Sequence, residues 1–233
     1  MIKIILFDLD GTLLPMDMEE FTNGYFKLLV KKLSEYGFEG NEFIKNIWTG
    51  IKYMVLNDGT KSNAQAFWDY MVTVYGDRST LARTVCEDFY ANEFEGGKEY
   101  CGFNPLVKPL IENCKTKGYR VILATNPIFP DVATQKRTKW AGLDVSEFEG
   151  YTTYENCNFC KPNLEYYKEL MDRFELKPEE CLMVGNDVDE DMVSEKLGLQ
   201  VFLITDCMIN KKNKDISVYN HGNFEDLAAF LNL

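Results

Sequence analysis

The sequence predicts an α/β protein, with a three-layer parallel-sheet core and an all-helical cap inserted after the first strand. Ile2 to Leu6 is a short apolar run without alternation, which is typical of a strand buried on both faces of a parallel sheet. From about Met16 to Phe94, apolar residues recur at three- and four-residue spacing, which predicts helices. After Gly96-Gly97, strand and helix patterns alternate, as an α/β core requires.

These patterns divide the chain into two predicted domains. Residues 1–15 and 97–233 form the core, which we expect to be Rossmann-like, and residues 16–96 form the cap. Glycine-containing breaks divide the cap into roughly four helices. Gly96-Gly97 and Leu14-Pro15 are the expected hinges, since glycine tolerates large changes of backbone conformation.

The composition limits the classes of partner. The chain has 233 residues and a net charge of -12, which repels nucleic acid and anionic membranes. No apolar run approaches the roughly 20 residues that cross a bilayer. Seven scattered cysteines, an odd number, suit a reducing compartment, so we expect a cytoplasmic protein that binds neither nucleic acid nor membrane. The oligomeric state is not encoded in any recognisable pattern.

Polar residues follow the apolar strands at the points where the strands end. Asp8 follows the first strand, Thr125-Asn126 follow Val121 to Ala124, and Gly185-Asn186-Asp187 follow Cys181 to Val184. In an open parallel sheet, ligands bind beyond the carboxyl ends of the strands. We therefore expect these polar residues to converge on one site.

Asp8 and Asp10 form the most informative pair. Two carboxylates at a strand end are compatible with an ordinary turn, because aspartate is common in turns. An extended backbone, however, directs both side chains to the same side, and Gly11 permits an unusual turn beside a ligand. In that case Asp8 is a nucleophile that forms an aspartyl-phosphate, while Asp10 protonates the leaving oxygen and later deprotonates water.

Four segments together resemble the motifs of the haloacid dehalogenase-like superfamily of aspartyl-phosphate hydrolases. Asp8-Leu9-Asp10-Gly11-Thr12-Leu13 resembles the first motif, in which Gly11 and Thr12 support the loop. Thr125-Asn126 resembles the second motif and Lys161 the lysine of the third. The segment from Gly185 to Asp191 resembles the acidic fourth motif. The match runs through the core and leaves the cap undescribed.

The resemblance implies a role for each matching residue. Asp8, Asp10 and Lys161 are the expected catalytic residues. Thr125, Asn126 and Lys161 are expected to bind the phosphate, and Lys161 to neutralise charge on the nucleophile. An anionic nucleophile that attacks an anionic phosphate also needs a cation between them, and Mg²⁺ with oxygen ligands is that cation.

The fourth motif departs from the commoner family pattern. An aspartate usually follows the glycine directly, but here Asn186 stands at that place and Asp187 is displaced by one residue. Either residue can complete a metal site with Asp8 and the backbone carbonyl of Asp10. We favour Asp187 because Mg²⁺ prefers charged oxygen, with Asp191 anchoring the loop or Lys161.

The predicted function is a Mg²⁺-dependent phosphatase that acts on a small metabolite carrying one phosphate. A sugar-phosphate mutase of the same superfamily and a non-catalytic regulatory protein on the same scaffold remain alternatives. Asp10 argues against a dehalogenase, whose chemistry does not use that acid in this way. A phosphonate-cleaving relative requires a Schiff-base lysine from the cap. The candidates for that lysine are Lys27, Lys31, Lys32, Lys45, Lys52 and Lys61.

Three further features have mainly structural interpretations. Cys157 and Cys160 resemble half of a zinc site, but no second such pair exists, so we expect structural cysteines. His221, the only histidine, lies in a polar stretch and is expected in an exposed loop. The many aromatic residues of the cap are expected to form its core, with one or two lining the substrate pocket.

Overall fold

A computed structural model describes residues 1–233, and its centre is one parallel sheet of five strands in the order β2-β1-β3-β4-β5. The strands are β1 (Ile4–Phe7), β2 (Arg120–Leu123), β3 (Cys181–Gly185), β4 (Gln200–Ile204) and β5 (Asn220–Gly222). All residues of β1 and β3 are buried, which explains their unbroken apolar sequence. The predicted α/β class with a parallel sheet is confirmed.

Helices cover both faces of this sheet. The helices are α1 (Met18–Glu35), α2 (Gly40–Val55), α3 (Asn63–Tyr75), α4 (Arg78–Ala91), α5 (Val107–Thr116), α6 (Asp131–Trp140), α7 (Leu164–Phe174) and α8 (Phe224–Leu231). Ile5 and Phe7 pack in one apolar cluster with residues of α5 and α8, whereas Ile4 and Leu6 pack in the other with residues of α7. The side chains of β1 therefore join three layers.

In the sequence, the four helices α1 to α4 lie between β1 and β2. The chain enters and leaves this segment through two paired stretches: Gly102 N donates to Pro15 O at 2.7 Å, and Met16 forms an antiparallel bridge with Cys101. Gly96 and Gly97 lie inside a 3₁₀ helix (Glu93–Tyr100). The domain boundary between residues 96 and 97 and the hinge at these glycines stay predictions.

A second contact joins the helical segment to the core at Asn63, the first residue of α3. This side chain is fully buried, and its Nδ2 donates to Pro127 O at 3.3 Å and Phe159 O at 3.2 Å. The Asn63 backbone N–H also donates to Cys157 O at 2.8 Å. Asn63 thus connects the loop after β2 with the loop before α7, and both loops carry predicted site residues.

Strand β5 was not predicted from the sequence. Its residues, Asn220 to Gly222, are polar and largely exposed, so the apolar signal of the other strands is absent at this edge of the sheet. His221 is exposed as predicted, but it lies in this strand rather than in a loop. None of the helices combines the length and apolarity that a bilayer crossing requires. All seven cysteines are free thiols.

Candidate active site

Asp8 lies directly beyond the end of β1, where its backbone N–H still pairs with the sheet by donating to Val184 O at 2.9 Å. The side chain is 6% exposed. Lys161 Nζ donates to its Oδ1 at 2.8 Å, and Thr12 Oγ1 donates to its Oδ2 at 3.2 Å. The two donors fix the orientation of the carboxylate at the carboxyl edge of the sheet.

A tight turn at Gly11 brings Thr12 back to Asp8. Gly11 has φ +80°, and a Cβ at this position would lie 2.2 Å from Asn186 Nδ2. Only glycine combines this left-handed backbone with the close approach of a neighbouring side chain. The turn lets the Thr12 hydroxyl contact both Asp8 Oδ2 and, at 3.1 Å, Asn186 Oδ1.

Lys161 is the buried cation of the site, with 1% of its surface exposed. Its Nζ lies 2.8 Å from Asp8 Oδ1 and 2.6 Å from Asp191 Oδ1. Burial opposes the charge, but the carboxylates of Asp191 and Asp8 outweigh it and raise the pKa of Lys161 well above its usual value. Asp191 also accepts a hydrogen bond from Asp187 N at 3.0 Å, so it contacts both Lys161 and the loop after β3.

Asp10 forms an ion pair with Arg137 of α6, a residue that was not predicted to belong to the site. The Arg137 side chain is fully buried. Its guanidinium lies 4.1 Å from the ring centroid of Phe129, and its Nη2 donates to Thr134 Oγ1 at 3.3 Å. These contacts leave Nη1 directed at Asp10 Oδ2.

The other carboxylate oxygen of Asp10 has no partner. Asp10 Oδ1 is buried and accepts no hydrogen bond. Burial raises the pKa of Asp10 and the Arg137 guanidinium lowers it, with a net increase above the usual value. One oxygen is thus held by Arg137, whereas the other is free for a group that enters the site.

The loop after β2 carries Thr125 and Asn126. Thr125 is buried, and its carbonyl accepts hydrogen bonds from Thr152 Oγ1 at 2.7 Å and Tyr166 OH at 3.0 Å. Asn126 Nδ2 donates to Glu190 Oε2 at 2.9 Å, while Asn126 Oδ1 is buried without a partner. Two buried hydroxyl groups therefore hold the backbone of this loop.

Asn186 and Asp187 have different surroundings. Asn186 is buried beside Thr12, with its Nδ2 donating to Cys207 O at 2.7 Å, which directs its Oδ1 to the Thr12 hydroxyl that also contacts Asp8. Asp187 Oδ1 instead accepts hydrogen bonds from the backbone N–H groups of Asp189, at 2.7 Å, and Glu190, at 2.9 Å. Asp187 thus closes a turn within its own loop.

Several predicted site residues meet, but not as a cluster of acids. Asp8, Thr12, Lys161, Asn186 and Asp191 are linked by direct hydrogen bonds. No three side chains among histidine, cysteine, aspartate and glutamate converge in a way that could hold a metal ion by themselves. A metal here would depend on amide and carbonyl oxygens as well as Asp8.

Arg137 had a weak signal in the sequence. In the sequence, Arg137 stands four residues from Ala133 and from Ala141, a spacing that places all three on one face of a helix. All three residues are buried in the structure. A charged residue on the buried face of a helix indicates a specific partner, because an unpaired buried charge is costly. The position of that partner, 127 residues earlier in the chain, was not encoded locally.

A large cavity opens above these residues, between the sheet edge and helices α1 to α4. Its volume is about 1670 Å³. Asp8, Asp10, Thr125 and Lys161 line one part of it, and residues of the helical segment line the rest. None of the six cap lysines considered for Schiff-base chemistry is among the lining residues. The phosphonate-cleaving alternative therefore has no candidate lysine in this cavity.

Comparison with known proteins gives the family. The model of the haloacid dehalogenase-like hydrolases matches residues 2–194. The chain belongs to this family. The family predicted from the four motifs is thus confirmed, and the protein is an enzyme of the hydrolase class.

Similar proteins extend this result. The glyceraldehyde 3-phosphate phosphatase of Methanothermobacter thermautotrophicus is 24% identical over 88% of this chain and 86% of its own length. The phosphoglycolate phosphatase of Vibrio parahaemolyticus is 23% identical over 95% of this chain and 86% of its own. The solved structure of the HAD-hydrolase YfnB of Bacillus subtilis, bound to magnesium, has a TM-score of 0.59 at 19% identity and covers 100% of this chain and 99% of its own. The structural similarity shows the shared fold.

Proposed function

We propose that the protein is a Mg²⁺-dependent phosphatase that hydrolyses a phosphate monoester of a small metabolite through an aspartyl-phosphate on Asp8. The observation that carries this proposal is the Lys161 ammonium, buried between Asp8 and Asp191 at 2.8 and 2.6 Å. A fixed cation beside a fixed carboxylate offsets the repulsion between an anionic nucleophile and a phosphate. The names of the two curated phosphatases support the same reaction.

In the first half of the reaction, a carboxylate oxygen of Asp8 attacks phosphorus and the bond to the ester oxygen breaks. Asp10 gives its proton to the departing alcohol oxygen. Asp10 Oδ1, which is buried and has no protein partner, is the atom available for this transfer. The products are the free alcohol and a phosphoryl group bonded to Asp8.

In the second half, Asp10 accepts a proton from a water molecule, which attacks the phosphorus of the aspartyl-phosphate. Inorganic phosphate leaves, and the Asp8 carboxylate is restored. Thr125, Asn126 and Lys161 are the proposed contacts of the phosphoryl oxygens. Burial of Thr125 and Lys161 limits the water that competes for these contacts.

The candidate ligand atoms of Asp8, Asp10 and Asn186 suit Mg²⁺, because all of them are oxygens. Asp8, the backbone carbonyl of Asp10 and Asn186 would hold the ion. The ion would neutralise charge on the phosphate and the nucleophile. From the sequence we preferred Asp187 as the ligand, but two observations favour Asn186. Asn186 Oδ1 and Asp8 Oδ2 both accept from the Thr12 hydroxyl. Asp187 Oδ1, in contrast, already accepts hydrogen bonds from two backbone N–H groups.

Metal removal tests the proposal. Chelation should abolish phosphate release from an aryl phosphate, Mg²⁺ should restore it, and Ca²⁺ should inhibit, because its larger and looser coordination misplaces the reacting groups. Phosphate release that survives exhaustive chelation would contradict the metal requirement. Transfer of the phosphoryl group to a second sugar phosphate, without release to water, would favour the mutase.

A magnesium titration compares the two ligand candidates. We expect Asn186→Ala to raise the Mg²⁺ concentration needed for half-maximal activity by roughly tenfold or more, as loss of a metal-site partner commonly does. Asp187→Ala should change it much less, and thermal melts show whether either variant has lost its fold. A larger increase in the Mg²⁺ requirement for Asp187→Ala than for Asn186→Ala would indicate that Asp187 is the ligand.

The proposed location is the cytoplasm. All seven cysteines are free thiols, which supports a reducing compartment. Acidic residues also exceed basic ones, 37 to 25, which disfavours nucleic acid as a partner.

A further inference from the structure

The wall of the cavity contains few available positive charges. Thirteen aspartates and glutamates line it, against three basic residues, Arg83, Lys161 and Lys211. Lys161 is committed to Asp8 and Asp191 at the reaction centre. Lys211 is exposed on the loop after β4, where solvent screens its charge.

Arg83 is the one basic residue that the helical segment contributes to the wall, and it has partners. Its Nε lies 2.9 Å from Glu87 Oε1, one turn further along α4, in a pair whose side chains are 57% and 59% exposed. Its guanidinium lies 5.7 Å from the ring centroid of Trp68. Glu87 also lines the cavity. A carboxylate or second phosphate on the substrate would therefore meet a cation that is screened by solvent and has an acid beside it.

An aromatic wall begins beside the leaving-group side of the reaction centre. Asp10 is the proposed proton donor to the departing alcohol, and its partner Arg137 packs on the ring of Phe129 at 4.1 Å. The rings of Tyr25 and Tyr90 lie next to Phe129, with centroid distances of 5.9 and 6.5 Å. Phe129, Tyr25 and Tyr90 all line the cavity. The alcohol part of a bound ester would thus leave toward aromatic surface.

Apolar side chains of the helical segment also line the cavity, beside its acidic residues. Further aliphatic and aromatic side chains from the helical segment line it, namely Leu29, Ile47, Trp48, Ile51, Phe67 and Trp68. The volume of about 1670 Å³ exceeds the roughly 300–1,000 Å³ of a typical small-molecule site, so the cavity has space for much more than a two- or three-carbon acid.

From these observations we propose that the substrate is a phosphomonoester whose alcohol part is uncharged and apolar, such as an aromatic alcohol, and that the cavity discriminates against a second anionic group. The inference rests on the proposed phosphatase function and specifies its substrate class. It distinguishes the proposed substrate from phosphoglycolate and glyceraldehyde 3-phosphate, the compounds for which two relatives are named, because both have polar organic parts.

Two esters that differ in one remote charge provide the test. Benzyl phosphate and 4-carboxybenzyl phosphate have similar leaving groups, so the ratio of their kcat/KM values reports the environment of the carboxylate. We expect benzyl phosphate to be favoured by about tenfold or more, because the added carboxylate is desolvated without a free cation. We also expect the kcat/KM of benzyl phosphate to exceed that of phosphoglycolate. A higher kcat/KM for either carboxylated compound would overturn the proposal.

Removing one negative charge from the cavity wall shows where the discrimination against the carboxylate arises. Glu87→Gln releases Arg83 from its ion pair and should narrow the ratio between the two benzyl esters. Glu112→Gln, on the exposed side of α5 and outside the cavity, changes the net charge by the same amount and should leave the ratio as it is. If the ratio of the two kcat/KM values is the same in both variants, the discrimination against the carboxylate does not arise at Arg83 and Glu87.

Binding to an inactive protein separates this inference from the proposed function. Both esters are titrated calorimetrically into Asp8→Asn with Mg²⁺ present, which requires no turnover. Tighter binding of benzyl phosphate supports the inference even if the wild type hydrolyses neither ester, a result that would contradict the phosphatase proposal alone. Equal or tighter binding of 4-carboxybenzyl phosphate contradicts the inference.

Discussion

Asp8→Asn is expected to retain the fold and to lose turnover to below about a hundredth of the wild-type rate, because an amide is a poor nucleophile. The surroundings of Asp8 accommodate the amide. Its oxygen can accept from Lys161 Nζ, and its NH₂ group can donate to Thr12 Oγ1, since a hydroxyl is both donor and acceptor. The variant thus removes the nucleophile while keeping both hydrogen bonds.

The measurements are kcat for an aryl phosphate and covalent phosphate trapped on the protein by acid quench. Wild type should trap phosphate on Asp8, and Asp8→Asn should not. Asp206→Asn is a matched control, because Asp206 lines the same cavity but is exposed. Residual activity of Asp8→Asn above about a hundredth would show that another group attacks, since general acid and base effects alone contribute roughly 10²- to 10⁴-fold.

Strand ends were the part of the site that the sequence could predict. Apolar runs located β1, β2 and β3 to within a residue or two, and the parallel arrangement then required their polar tails to meet. The contact between Asp8 and Lys161 spans 153 residues, yet the resemblance of four ordered motifs anticipated it. A site of this kind is predictable because the backbone topology, rather than particular side-chain packing, brings its members together.

Contacts that depend on packing were not predictable. Asn63 joins two core loops from the start of α3, and nothing in its local sequence indicates a buried amide with partners in both. The choice between Asn186 and Asp187 depends on which side chain turns toward Thr12, which a one-residue displacement in the motif cannot reveal. Both cases turn on rotamers and loop paths that only the three-dimensional arrangement defines.

Arg137→Met is expected to have the second large effect, on both stability and catalysis. The substitution keeps much of the side-chain length but leaves the Asp10 carboxylate, whose side chain is 14% exposed, without its ion-pair partner. Breaking a fully buried pair in this way costs about 3–5 kcal/mol, and we expect the lower end of this range because Asp10 is partly exposed. A thermal or denaturant melt measures this loss, and assays are made at a temperature where the variant is folded.

The catalytic effect should depend on the leaving group. If Arg137 holds Asp10 in position to protonate the departing oxygen, Arg137→Met should reduce kcat/KM for an alkyl phosphate by roughly 10²-fold or more, the usual contribution of a general acid. The loss of kcat/KM should be much smaller for 4-nitrophenyl phosphate, because 4-nitrophenolate departs without a proton. Arg137→Lys retains the positive charge and should recover part of the loss.

The dependence on the leaving group separates positioning from a merely structural role. Lys139→Met removes a positive charge from an exposed position of the same helix and should affect the two substrates equally and slightly. Equal losses on both esters in Arg137→Met would mean that the arginine only stabilises the fold. A selective loss on the alkyl ester would mean that the buried pair of Asp10 and Arg137, which joins the first strand to α6, directs the proton to the leaving oxygen.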